Sequence, residues 1–217
     1  TEVLVHGFEE WGEDLLCKLR GMFAFAIWNK KDGTLFLARD YFGIKPLHYT
    51  TVNGHFIYAS EIKSILDFPG FEKKLNKNAL NHYISFEYPA ITETFFEGVS
   101  CLPPSHCLWY RNGKVGLHRY WEPKFEPDDT MTEEEAVSQI EAVFEDSVAA
   151  HRISDVEVGC LLSGGVDSSY VASYFSGQKT FTVGFEGGAK YSEIGYAQEL
   201  SEKIGTEHHY HVITPEE

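Results

Sequence analysis

A strand, a loop with two consecutive glycines and a helix start, in that order, constrain this chain more than any other feature. The apolar run Val156, Val158, Cys160, Leu161, Leu162 leads into Ser163-Gly164-Gly165-Val166-Asp167-Ser168-Ser169, and a helical pattern follows from Ser168 to Phe175. Such an arrangement makes a phosphate cradle. Gly164 and Gly165 let backbone N–H groups approach an anion closely, and the helix N-terminus adds its partial positive charge. The hydroxyls of Ser163, Ser168 and Ser169 can donate further hydrogen bonds, and Asp167 can hold a magnesium ion. No lysine stands in the loop, so it is not the pattern GxxxxGK[ST]. The plainer alternative, a Ser/Gly-rich turn opening an ordinary helix, is disfavoured by the flanking strand and helix.

The surrounding pattern repeats that alternation. The segment from Trp121-Glu122-Pro123 to Asp128-Asp129-Thr130, with its prolines and acids, reads as a linker. Thr132 and Glu135 then form a capping box, and Val137, Ile140, Val143, Phe144 and Val148 line one face of the helix it opens. Strands over Val156–Leu162, Thr180–Phe185 and His208–Ile213 alternate with helices over Ser168–Phe175 and Glu193–Ile204, the last stopped by Gly205. This order predicts a parallel, doubly wound sheet with ligands at the carboxyl ends of its strands, where the Ser/Gly loop falls.

Upstream of the linker the pattern is different. Val3, Leu4, Phe8, Trp11, Leu15, Leu16 and Leu19 have helical spacing, which predicts a helix over Glu2–Leu19. Met22–Trp28 and Leu35–Arg39 read as a hairpin about the turn Asn29-Lys30-Lys31-Asp32-Gly33. Gly43 and Pro46 mark the next turn. Strands follow around Leu47-His48-Tyr49 and His55–Ala59, then a short helix capped by Ser60 and ending at Leu66. A helix over Lys77–Ile84 and β segments through Trp109 and Tyr120 complete an α+β block. Two domains result, 1–125 and 126–217.

The 217 residues carry 43% hydrophobic and 15% aromatic side chains, enough to bury a substantial core. The net charge of −15 argues against a nucleic-acid surface or an anionic membrane as partner. No apolar run reaches the length of a membrane span, and no signal-peptide pattern opens the chain. Cys17, Cys101, Cys107 and Cys160 show neither a CxxC pair nor zinc spacing, and Cys160 fits a small buried thiol. A reduced, cytoplasmic setting is expected. The chain opens on Thr1 without Met, and Thr214-Pro215-Glu216-Glu217 looks like a helix just beginning, as in an internal piece of a longer protein.

The loop pattern SGGxDSS resembles that of the PP-loop ATP pyrophosphatases. With Gly159–Ser169 and Phe181-Thr182-Val183-Gly184-Phe185, the second half resembles the synthetase domain of glutamine-hydrolysing asparagine synthetases. The first half contains Gly21-Met22-Phe23-Ala24-Phe25-Ala26-Ile27-Trp28, Ala38-Arg39-Asp40-Tyr41-Phe42-Gly43-Ile44-Lys45-Pro46-Leu47 and Ala59-Ser60-Glu61-Ile62-Lys63. These are similar to the later part of that family's glutaminase domain. The resemblance implies an incomplete α+β block of the N-terminal-nucleophile-hydrolase type, followed by an incomplete α/β PP-loop domain.

The implied reaction turns aspartate and Mg-ATP into β-aspartyl-adenylate and pyrophosphate; ammonia released from glutamine then attacks the activated carbonyl. ATP and Mg2+ are the implied cofactors, ATP, aspartate and glutamine the partners, and a homodimer is compatible. Ser163, Gly164, Gly165, Asp167 and Ser168 match the phosphate-binding loop, Leu161 and Val183 match adenosine-facing positions, and Asp167 matches a magnesium ligand, with a hydrogen-bonding role inside the loop as its rival. The family's N-terminal cysteine nucleophile and glutamine-binding residues have no counterpart here, so no glutaminase catalytic residue is assigned. Thr1 leads into a helical segment rather than a strand and receives no catalytic role. Ser105 stands where relatives usually show Gly, and Tyr210 where an acid is common.

Other features have plainer readings. His209 and His211 share a strand face but lack a completing ligand set, so a strand edge is expected rather than a metal site. Arg39-Asp40 reads as a structural ion pair organising the Gly43–Pro46 turn, and Glu61 as a structural acid early in a helix. Phe23–Trp28 is core, since no basic residues interleave with it. Other expected possibilities are a related amidotransferase closing a β-amino acid to a β-lactam, and a non-catalytic nucleotide-binding module. With neither block complete, the isolated chain is expected to be inactive, of low stability or prone to aggregate.

Overall fold

A segment of helical periodicity opens the chain, but it does not form one helix. In the computed structural model, which describes residues 1–88, 90–186, 192–214 and 216, α1 (Glu2–Trp11) stops at Gly12, whose φ of 56° suits glycine. The backbone then tightens into a 3-10 helix, Gly12–Lys18, which buries Leu15 and Leu16. The expected helix over Glu2–Leu19 is thus two pieces that share an apolar face.

Two compact units follow, Thr1–Glu126 and Pro127–Glu217. In the first, β1 (Ala24–Asn29) and β2 (Thr34–Arg39) form an antiparallel hairpin, with Ala24 opposite Arg39 and Asn29 opposite Thr34. Next come β3 (His48–Val52), β4 (His55–Ala59), α2 (Ile62–Leu66), α3 (Lys77–Phe86), β5 (Ser100–Cys101), β6 (His106–Arg111) and β7 (Lys114–Arg119). They complete two antiparallel sheets, ordered β1-β2-β6-β7 and β4-β3-β5. The residue at the α2 N-cap is Glu61, without a side-chain capping bond, so Ser60 does not cap this helix.

Strand β2 is buried on both faces, which explains its nearly unbroken apolar sequence. Leu35 and Leu37 pack with Leu47, Leu102 and Leu108 between the sheets. Phe36 and Ala38 face the other way, into a cluster with Leu16, Cys107 and Phe8, where the Phe8 and Phe36 rings lie 4.8 Å apart. The unit is α+β: helical segments on one side of a sheet, a second sheet on the other.

In the second unit, α4 (Glu133–His151) begins with the Thr132/Glu135 capping box. Strands β8 (Cys160–Leu161), β9 (Lys179–Phe185) and β10 (Glu207–Ile213) alternate with α5 (Val166–Ser173) and α6 (Ile194–Ile204). All three strands are parallel, in the order β10-β9-β8. The expected strand over Val156–Leu162 shortens to two residues. The β8–β9 ladder starts at Cys160, paired to Thr180, so Val156 has no ladder to join and is exposed. Glu193, expected as helical, is the N-cap of α6, while Pro215 of the expected terminal helix start lies outside the described residues.

The strand order runs in one direction, so crossovers of the same hand put α5 and α6 on the same face. Val148, Cys160, Leu162, Ala172, Phe175 and Ala197 form the core on that face. The doubly wound arrangement needs a reversal of strand order, and none occurs among the described residues. The opposite face, with Leu161, Phe181, Val183 and Phe185, is open to solvent. Helix α4 is likewise covered only near its C-terminal end: Val148 is buried and Phe144 packs on the core, while Val137, Ile140 and Val143 are exposed.

Candidate functional site

The loop between β8 and α5 leaves the sheet at the carboxyl end of β8. Its start is pinned from β9: Leu162 N–H donates to the Phe181 carbonyl at 2.8 Å, and the Thr182 hydroxyl donates to the Leu162 carbonyl. Gly164 then takes φ +84°, a conformation that L side chains rarely adopt. A Cβ there would sit 3.1 Å from both the Glu193 carbonyl oxygen and Tyr196 Cβ, so the loop lies directly against the start of α6.

Inside the loop the serines hold one another. Ser163 N–H donates to Ser168 Oγ at 3.2 Å, the two hydroxyls lie 2.9 Å apart, and Ser168 Oγ donates to the Gly165 carbonyl at 3.1 Å. Gly165 is the N-cap of α5 and brings no side chain to cap it, so the first-turn N–H groups have no side-chain partner. Asp167, in that first turn, is exposed and has no hydrogen bond or ion pair among the described residues. Its carboxylate is therefore available to a cation, and the rival hydrogen-bonding role within the loop is not seen. A free carboxylate beside an uncapped helix start fits the donor set of a magnesium–phosphate group.

Leu161 and Val183 both lie on the open sheet face, with Phe181 paired to Leu161 across the β8–β9 ladder. Sequence reading missed Thr182, which anchors the loop entrance, and Tyr196, against which the loop packs. The signal for Thr182 was present in the alternation of β9, where Thr180, Thr182 and Gly184 are the buried positions. Nothing local to the loop marks Tyr196.

The other singled-out residues have structural roles. Arg39 and Asp40 do not pair with each other. Arg39 donates through Nε to the Lys45 carbonyl at 2.7 Å and through Nη1 to the Leu102 carbonyl at 2.6 Å. Asp40 accepts backbone N–H bonds from Phe23, Phe42, Ile44 and Lys45. Each side chain holds the Gly43–Pro46 turn by itself. His208 reaches inward to Thr180 Oγ1 at 3.0 Å, while His209 stacks on Phe181 and bonds Glu207. A cavity of about 700 Å3 in the first unit, lined by Arg39, His48, Tyr88 and Glu93 among others, contains none of the loop residues.

Residues 1–121 match the glutamine amidotransferase domain model, and residues 139–217 match the asparagine synthase model. The chain thus belongs to the glutamine amidotransferase family. Its relatives include asparagine synthetase [glutamine-hydrolyzing] 1 of Bacillus subtilis, 40% identical over all of this chain and 35% of the relative. A putative asparagine synthetase [glutamine-hydrolyzing] of Mycobacterium bovis is 38% identical, over all of this chain and 35% of its own length. Amidase chry2 of Gibberella zeae is 31% identical over 96% of this chain and 34% of that protein. The chain therefore spans about a third of the length of these relatives. No helix among the described residues is long and apolar enough to cross a membrane.

Proposed function

We propose that this chain is part of a glutamine-hydrolysing asparagine synthetase, in which the second unit is a PP-loop domain that binds Mg-ATP and the first has the N-terminal-nucleophile-hydrolase fold of a glutaminase. The full reaction on this reading converts aspartate, ATP and glutamine into asparagine, AMP, pyrophosphate and glutamate. The observation that carries the proposal is the loop Ser163–Ser169, shaped by Gly164 at positive φ and ending in an uncapped helix start with a free Asp167.

On this reading Ser163, Gly164, Gly165 and Ser168 receive the phosphates through N–H groups and hydroxyls. Leu161 and Val183 offer an apolar surface to the adenosine. Asp167 would hold magnesium, which when bound offsets the charge of the phosphates. Adenylation turns a poor leaving group on the acceptor carboxylate into AMP. The four free cysteines support a reducing, cytoplasmic setting.

A calorimetric titration with Mg-ATP tests the site. Binding by the wild-type protein that disappears in the Asp167→Ala, Ser163→Ala double variant is expected; no binding by the folded wild-type protein would overturn the assignment. A second reading, the same two units acting on another carboxylate acceptor, is supported by the likeness to amidase chry2. Pyrophosphate release by the full-length enzyme with aspartate, against release with other carboxylates, separates the two.

A further inference from the structure

Three side chains able to ligate a metal converge in the first unit. Glu13 comes from the 3-10 helix, Cys107 from β6 and His118 from β7, and Cys107 and His118 are direct partners across the ladder. Glu13 Oε2 lies 2.8 Å from His118 Nδ1 and 3.8 Å from Cys107 Sγ, and Cys107 Sγ lies 3.9 Å from His118 Nδ1. A tetrahedral ion with bonds of ~2.3 Å to sulfur and ~2.0–2.1 Å to nitrogen or oxygen holds its ligand atoms about 3.6 Å apart on the sulfur edges and about 3.3 Å on the third. Each observed separation lies within about 0.5 Å of that triangle.

The surroundings suit an ion as well. Trp109 Nε1 donates to Glu13 Oε1, which leaves Oε2 for the site and gives the carboxylate the outer hydrogen bond that orients metal ligands. Cys107 forms a buried floor, while the His118 and Glu13 side chains keep 61% and 34% of their exposure, so an ion can enter from solvent.

From this convergence we propose that Glu13, Cys107 and His118 form a three-ligand site for a borderline-soft divalent ion of the zinc type, with water completing the shell. On binding, the sulfur–metal bond forms as the thiol proton leaves to solvent, the carboxylate and imidazole donate lone pairs, and no electron is transferred. The bound ion ties the 3-10 helix, which supplies Leu15 and Leu16 to the core, to β7 at the sheet edge.

Cobalt(II) titration tests this in protein carrying Cys17→Ser, which removes the exposed thiol. One equivalent should give a thiolate-to-cobalt charge-transfer band with four-coordinate visible absorption, both bleached by zinc. His118→Ala and Glu13→Gln alter side chains at the open rim, and circular dichroism checks that both fold. Each should weaken zinc binding by at least about tenfold. Absence of the thiolate band, or unchanged affinity in either folded variant, overturns the site.

Discussion

Asp40 shows how much one buried carboxylate can organise. It is 1% exposed, yet it accepts four backbone N–H groups: Phe42 and Ile44 on Oδ1, Phe23 and Lys45 on Oδ2. Burial pushes its carboxyl up, but the N–H bonds from Lys45, Ile44, Phe42 and Phe23 outweigh it and hold the group below its ordinary value. The unfolded chain thus takes up the proton more readily than the folded one. The stabilisation is complete above the ordinary aspartate value and is lost as the pH falls through the lower folded value. Asp40→Asn would turn an NH2 group toward backbone donors and should cost roughly 2–3 kcal/mol at neutral pH. Denaturant unfolding at neutral and acid pH checks this: the variant should also lose part of the acid-side slope. The charges at 39 and 40 were legible in the sequence, but their partners were not. Adjacent opposite charges suggest a pair, whereas the carbonyls and N–H groups that satisfy them become neighbours only when the turn and Leu102, just after β5, are in place.

At the scale of elements, local signals translated well and distant ones did not. The capping box of α4 needs only Thr132 and Glu135, and both of its hydrogen bonds are formed. Thr132→Ala should therefore cost about 1 kcal/mol of stability, readable as a lowered midpoint in chemical denaturation. The hairpin β1–β2 and the order of three strands alternating with two helices in the second unit were equally legible, because turn residues and apolar spacing mark them. The break at Gly12 was hidden by an apolar stripe that runs on through the 3-10 helix. The short β8 was hidden because a strand's length depends on its neighbour, which starts at Lys179. Of the loop, its glycines and serines could be read, but not its contact with α6. Gly164→Ala combines a strained φ with contacts to the Glu193 carbonyl and Tyr196. It should cost roughly 1–2 kcal/mol and weaken Mg-ATP binding, and calorimetry beside denaturation separates the two effects.

Across the whole molecule, the two units are joined by a stretch that lacks regular structure from Glu122 to Asp128, all of it exposed. Lys124 lies in this stretch, so limited trypsin digestion should cut there first and give two fragments dividing near residue 124, read by mass spectrometry. Early cuts within β9 or β6 would contradict this division. The open face of the parallel sheet, with Leu161, Phe181, Val183 and Phe185, is the least protein-like surface of the second unit, since parallel sheets are normally covered on both sides. Phe181→Asp should reduce self-association at high concentration, as measured by light scattering. The packing of Gly164 on the start of α6 also has a bearing on how the molecule is made. Synthesis proceeds from the N-terminus at ~5–20 residues per second, and the contacts at Glu193 and Tyr196 come about thirty residues after the glycine. A ribosome halted between α5 and α6 would carry a nascent chain whose Ser163–Ser169 loop is fully spelled out but still without its shape.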